Sequence, residues 1–306
     1  MTKRILVLMG GLSAEREVSL VSGEAVAAAL VEAGHEVRTH DVTRDLGALL
    51  HALEHPRPDV VFNALHGRFG EDGCVQGLLE LAGVPYTHSG VRASAVAMDK
   101  PTAKRVVEQA GLRTPAGRVV ARATLRAADP LPRPFIVKPV AEGSTVGVKL
   151  VQSGSNRAWA DEEWHWGETA LVEEYIAGRE LTVGIMGERA LAVTEIRFRG
   201  ETFDYVAKYS AGHAEHLVPA PIPQAVYGAA MDAALVAHRT LGCDGISRSD
   251  FRWDDRRPAA DGLYFLEINT QPGFTPLSLV PEQAKHLGIA FPALCEWLVE
   301  RARCHA

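Results

Sequence analysis

The first third of the chain alternates two hydrophobic periods, and that alternation limits the fold more than any other feature. "RILVLMGG" is a continuous apolar run that stops at a glycine pair, the pattern of a strand buried on both faces. Val18, Val21, Val26, Ala29 and Leu30 then recur at helical spacing across residues 14–33, and Gly34 supplies a stop. "EVRTHDV", "LGALLHALE", "DVVFNAL" and "VQGLLELAG" continue as strand, helix, strand and helix, the last ending at Gly83. Strand and helix in turn predict an α/β unit, a parallel sheet with helices on its faces. Ligands of such sheets sit beyond the carboxyl ends of the strands. "MGGLSAERE" and "ALHGRFGEDG" lie there, which makes Glu15 and His66 candidate contacts, although His66 reads equally well as a loop histidine. The first turn lacks G-x-G-x-x-G, so a dinucleotide oxidoreductase is not expected.

Beyond "VAMDK" the pattern changes. Residues 101–111 read as a helix, and "FIVKPV", "VGVKLV" and "TALVEEYI" as strands separated by loops. "RELTVGIMGERALAVTEIRF" reads as an antiparallel pair turning at Gly187, and residues 199–223 as a loop-rich stretch. A helix over 224–241 precedes a last hairpin. A chain of 306 residues suits two or three compact domains. With a net charge of −6 it carries no basic footprint for nucleic acid. No stretch approaches the roughly 18 apolar residues of a membrane span, and the apolar run at 5–9 is too short for a secretory segment. Four scattered cysteines without a CxxC pair fit reduced thiols rather than disulfides or zinc. A cytoplasmic protein with no membrane partner is expected.

The last hairpin, "SRSDFRWDDRRPAADGLYFLEIN", concentrates polar residues inside an apolar pattern. If it closes near residues 258–262, Asp250 stands opposite Glu267. Residues two apart share a face, so Arg248 joins Asp250, and Asn269 joins Glu267. Facing carboxylates repel unless neutralised, and hard cations such as Mg2+ take carboxylate and phosphate oxygens. The competing reading is a solvated face of cross-strand salt bridges. "DDRR" at 254–257 reads as exposed turn charge, and "HAEH" at 213–216 as a loop without the spacing of a zinc motif.

"IVKPVAEGSTVGV" interrupts a strand pair with Glu142, Gly143, Ser144 and Thr145 just after Lys138. Glycine lets backbone N–H groups approach an anion, the hydroxyls add donors, and the lysine neutralises phosphate. The spacing is not that of a P-loop, and an ordinary turn beside a surface lysine is the alternative. Glu173, Glu174 and Glu180 in "VEEYIAGRE" could accept from ribose hydroxyls or simply be solvated.

Together with "QGLLELAGVPYTHSGVRASAVAMDK", "DYVAKYS" and "LEINTQPGFTPLSLVP", these segments resemble the D-alanine–D-alanine ligases of the ATP-grasp superfamily, in the family's order and nearly end to end. The resemblance implies an ATP-grasp fold with a Rossmann-like N-terminal domain at 1–97, a central ATP-grasp subdomain at 98–180 and a C-terminal one at 181–306. It implies ligation of two D-alanines through an acyl phosphate, with ATP, two Mg2+ or Mn2+ ions, and a homodimer. Lys100 and Lys138 match ATP-binding lysines, and Glu173, Tyr175, Ile176 and Glu180 match residues that hold adenine and ribose. Asp250, Glu267 and Asn269 match metal ligands. Arg248 and the Gly273 N–H match groups that stabilise the reacting acyl group. Glu15 matches the residue that binds the first D-alanine, Ser278 and Leu279 match the second subsite, and Val18 and His66 match further substrate contacts. Ser144 and Tyr209 match hydrogen-bonding partners of Glu15, and Lys208 a group that reaches the transferred phosphate. Gln271, Phe274 and Leu277 depart from the frequent "NTSPGMTSHS" version. Another ATP-grasp ligase or a D-alanine–D-lactate ligase is the alternative, although Tyr209 favours the dipeptide. A non-catalytic nucleotide binder should have lost a metal ligand or Arg248, and all are present.

Overall fold

The structure, a computed structural model, describes residues 1–141, 147–154, 167–198 and 214–305. Strands β1 (Arg4–Gly10), β2 (Glu36–Val42) and β3 (Val60–Asn63) form a parallel sheet in the order β2-β1-β3. Helices α1 (Arg16–Glu32), α2 (Leu46–Glu54) and α3 (Cys74–Ala82) follow the strands as the alternation predicts. α1 lies close on the sheet because Gly23 has no side chain; a Cβ there would meet that of Met9 at 2.4 Å. α2 begins where the Asp45 carboxylate accepts from the Ala48 N–H at 3.0 Å. α3 runs between Gly73 and Gly83, both at positive φ.

Two further helices, α4 (Val91–Met98) and α5 (Lys100–Gln109), meet at Asp99. The Asp99 carboxylate caps α5 by accepting from the Thr102 N–H at 2.8 Å, and Pro101 occupies the first turn, where its missing N–H costs nothing. α4 is a helix that the sequence reading did not assign. Nor did it assign the strand β4 (Gly117–Ala121) or the helix α6 (Arg122–Ala127). β5 (Phe135–Lys138), β6 (Lys149–Val151) and β7 (Thr169–Glu174) join β4 in a sheet ordered β4-β7-β5-β6.

A second antiparallel sheet is ordered β10-β9-β8-β11-β12. It comprises β8 (Arg179–Met186), β9 (Arg189–Phe198), β10 (Ala214–Leu217), β11 (Ile246–Trp253) and β12 (Leu263–Asn269). The expected turn at Gly187 joins β8 to β9. The "HAEH" stretch differs from the expected loop, because Ala214–Leu217 pairs with residues 195–198 of β9. Its His216 lies 2.7 Å from a Glu282 carboxylate oxygen rather than in a metal cluster. α7 (Gln224–Leu241) packs on this sheet, and Ala103 and Val107 of α5 lie in the same core as Val226, Ala230 and Ala234.

The last helices, α8 (Leu279–His286) and α9 (Phe291–Arg301), return to the N-terminal unit. Leu294, Leu298 and Val299 share one buried cluster with Ile5, Val7 and Leu30. The chain therefore closes on its own first sheet, and the loop between β12 and α8 is bonded to the end of β3 and the residues after it through Gln271 and to α1 through the Phe274 N–H and Ser22.

Candidate active site

The site begins with strand register. β11 and β12 pair so that Asp250 faces Glu267 and Arg248 faces Asn269, as the hairpin reading expects. On its other side β11 pairs with β8, which sets Thr182 opposite Asp250 and Glu180 opposite Arg252. Asp250 is buried, and both of its oxygens accept hydrogen bonds. Arg248 donates to its two oxygens through Nε and Nη2, each at 2.9 Å, and the Thr182 hydroxyl donates at 2.6 Å. This bidentate geometry fixes the guanidinium plane. Across the hairpin, Glu267 lies 3.4 Å from the Lys100 ammonium at the start of α5.

The Asn269 side-chain oxygen accepts from the Gln271 N–H at 2.7 Å, which turns the chain out of β12. Two carboxylates and an amide oxygen on adjoining strands are the donor type that hard divalent cations take, so the residues fit Mg2+ or Mn2+. No cluster of three or more His, Cys, Asp or Glu side chains among the described residues offers a softer site.

A second group of charges lies on the other sheet. Glu173 of β7 is buried between Lys138 at the end of β5, 2.7 Å away, and Lys104 of α5. Burial alone would raise the Glu173 carboxyl, but the two lysines outweigh it and hold it below the usual range. Burial also drives the Lys104 ammonium down to about 7, with Lys138 adding to the push and Glu173 opposing it. Sequence reasoning took Glu173 as a nucleotide contact and passed over Lys104, whose signal was its place one helical turn after Lys100. Glu174 points elsewhere and accepts from the Ala116 N–H at 3.1 Å. Tyr175 and Ile176 lie in the bridge between β7 and β8, and Glu180 is buried one residue into β8.

The third component stands at the carboxyl end of the first sheet. Glu15, before α1, is buried beside Gly67; a Cβ on Gly67 would lie 2.9 Å from its carboxylate. His66 is buried with Ser22 Oγ 3.1 Å from Nε2 and the Gln271 carbonyl 3.2 Å from Nδ1. Val18 is half-buried on α1. Gly273 sits in the loop entering α8, Ser278 is the N-cap of that helix and Leu279 its first residue. There the Ser278 hydroxyl accepts from the Thr275 N–H at 3.0 Å.

Two of the three departures in this loop have a structural reason. Gln271 is 2% exposed and spans to the first sheet; its amide donates to the Leu65 carbonyl and accepts from Asn63 Nδ2 at 2.7 Å. Phe274 is buried against Phe62, 5.8 Å between ring centroids. Leu277 is 81% exposed, and no contact explains it. Gln271→Leu should cost about 2–4 kcal/mol, because the Leu65 carbonyl and the Asn63 amide each lose a buried partner. The expected fall in Tm is several degrees by differential scanning calorimetry. An unchanged Tm would deny Gln271 this role.

Glu142, Gly143, Ser144, Thr145, Lys208 and Tyr209 lie outside the described residues. "DDRR" is only partly the exposed turn expected. Asp254 is buried and accepts from Arg256 Nε at 2.8 Å, while its neighbours are exposed.

Residues 108–300 match the family model described as the D-ala D-ala ligase C-terminus, and residues 48–89 that of the N-terminus. The chain is 57% identical to the D-alanine–D-alanine ligase of Acidiphilium cryptum, covering 99% of both chains. It is 52% identical to that of Rhodospirillum rubrum, covering 100% of both. A crystal structure of the Bacillus anthracis D-alanine–D-alanine ligase complexed with ATP superposes with a TM-score of 0.78 at 27% identity, covering 98% of this chain and 97% of that one.

Proposed function

The chain belongs to the D-alanine–D-alanine ligase family and joins two D-alanines with ATP; we propose that it does so through a D-alanyl phosphate, on the face shared by β11 and β12. The observation that supports this placement most is the Asp250–Glu267 pairing beside the Arg248–Asp250 fork. The first D-alanine carboxylate attacks the γ-phosphorus, and ADP leaves. The amine of the second D-alanine then attacks the acyl carbonyl and loses a proton, the amide forms, and inorganic phosphate departs. Such chemistry needs positioning and charge neutralisation more than covalent help from the protein.

Asp250, Glu267 and Asn269 would hold Mg2+ or Mn2+, two ions in all, which neutralise phosphate charge. Lys100 and Lys138 bind the phosphates, exchanging their carboxylate partners for phosphate oxygens. Glu142, Gly143, Ser144 and Thr145 cover those phosphates, and Lys208 reaches the one transferred. Glu173, Glu174, Tyr175, Ile176 and Glu180 hold adenine and ribose. Glu15, Val18 and His66 bind the first D-alanine; Ser278 and Leu279 frame the second. Arg248 and the Gly273 N–H stabilise charge on the acyl oxygen. Tyr209 and Ser144 tie their loops to Glu15, closing the site against water. The proposed division is 1–97, 98–180 and 181–306.

The test is incubation with ATP, Mg2+ and D-alanine, with L-alanine or D-lactate as comparisons. Phosphate release with a D-alanyl-D-alanine mass, from D-alanine alone, is expected. Phosphate release requiring D-lactate, or no D-alanine-dependent turnover, would contradict the assignment.

We also propose a cytoplasmic homodimer. No helix among the described residues is long and apolar enough to cross a membrane, and all four cysteines are free thiols. Leu46, Phe69 and Leu12 are exposed around an apolar cavity of about 420 Å3 on the N-terminal unit, and Leu81 nearby in sequence is 90% exposed. Exposed apolar surface of this kind is what a second copy of the chain would cover. The double variant Leu46→Asp, Phe69→Asp should sediment as a monomer where the parent sediments as a dimer. A monomeric parent would end the dimer proposal.

A further inference from the structure

The bridge from β7 to β8 has no strand ladder of its own, yet its shape is fixed. Residues 175–178 connect Glu174 to Arg179 outside any strand. Arg252 of β11 lies beneath them and is 7% exposed. Its Nε donates to the Ile176 carbonyl at 3.1 Å, and its Nη2 donates to the Gly178 carbonyl at 2.8 Å. Its guanidinium carbon is 5.7 Å from the centre of the Tyr175 ring, and Nη1 is 3.9 Å from the Glu180 carboxylate. At the end of the bridge, Gly178 has φ 117°, and a Cβ there would meet the Trp253 carbonyl at 2.1 Å. One side chain therefore touches four of the six residues from Tyr175 to Glu180, and the backbone itself presses on β11.

We infer that Arg252 is a positioning residue for the nucleotide, bracing the 175–180 segment through two main-chain carbonyls so that its remaining backbone groups are preset to meet the adenine and ribose. The inference rests on the proposed assignment of that segment to the nucleotide. Its physical basis is the shape of the guanidinium. A planar fork satisfies two carbonyls two residues apart at once, and a lysine ammonium does not reproduce that geometry. Arg252 also shares β11 with Arg248 and Asp250, at alternate positions of the strand. The base end and the metal end of the nucleotide site are thus registered to one strand, which sets their separation.

Arg252→Met keeps the apolar stem and removes the fork, and Arg252→Lys keeps the charge. Steady-state kinetics with ATP and with GTP, and Tm by calorimetry, are measured for both. Arg252→Met should raise the ATP KM about tenfold, narrow the ATP-to-GTP preference and leave the D-alanine KM unchanged, as for loss of hydrogen bonds from a charged donor. Arg252→Lys should fall between the two. An unchanged ATP KM in either variant would overturn the inference. So would a loss spread equally over ATP, D-alanine and Tm, since that is a general structural role. Glu180→Gln is run alongside. If it too leaves ATP binding intact, the assignment of the segment to the nucleotide fails. If it weakens ATP binding and neither Arg252 variant does, only the role of Arg252 fails.

Discussion

Arg248→Lys is expected to lower kcat by about 100- to 1000-fold, the usual effect of removing one preorganised donor from a developing oxyanion. Lysine keeps a positive charge beside the buried Asp250 carboxylate, so the cost of leaving that charge unpaired is avoided. What it loses is the two-point contact, 2.9 Å from each Asp250 oxygen, that sets the plane of the guanidinium. The loss should therefore fall on kcat, with smaller changes in the KM for ATP. Arg248→Ala should lose activity as well and also stability, because Asp250 is then buried with only the Thr182 hydroxyl and its remaining contacts to offset it. A lysine variant within about threefold of the parent kcat would remove Arg248 from the chemistry.

Glu267→Gln is the second large effect. It removes one of two facing carboxylates and takes the partner, 3.4 Å away, from Lys100. A neutral amide binds a hard cation far less well than a carboxylate. The Mg2+ concentration for half-maximal activity should rise about 10- to 100-fold, and activity at limiting Mg2+ should nearly vanish. Saturating Mg2+ should restore part of the rate. A titration that superposes on the parent's would mean that Glu267 is only a salt-bridge partner of Lys100.

The parts of this site nearest in sequence were the most legible. The hairpin's facing pairs followed from period-two alternation around one turn, and Asp250 does face Glu267. The parallel first sheet followed from alternating periods, because each period is local. What crosses the chain was hidden. Thr182 and Arg252 belong to the site only because β8 pairs with β11 in one register, and no local signal states that register. Their alternation, Glu180 with Thr182 and Arg248 with Asp250 and Arg252, was visible, but it named no partner strand. Glu173 read as a solvated or ribose-binding carboxylate, since Lys104 and Lys138 approach it from another helix and another strand. The return of α9 to the first sheet was equally hidden. So was the bridge Gln271 makes to Leu65 and Asn63, about 200 residues earlier in the chain. The helices at 91–98 and 122–127 are only 8 and 6 residues long, too short for a helical period to be read, so packing rather than pattern places them.

The most direct measurement uses D-alanine labelled with 18O in both carboxylate oxygens, with ATP and Mg2+, and reads the isotopic mass of the phosphate released. If the carboxylate attacks phosphorus and the amine then displaces phosphate, one labelled oxygen leaves with each phosphate. Its partner remains as the carbonyl of the new amide. Labelled phosphate in step with D-alanyl-D-alanine is the expected result. Dipeptide formed with unlabelled phosphate would contradict the acyl phosphate and, with it, the roles given to Arg248 and the β11–β12 face.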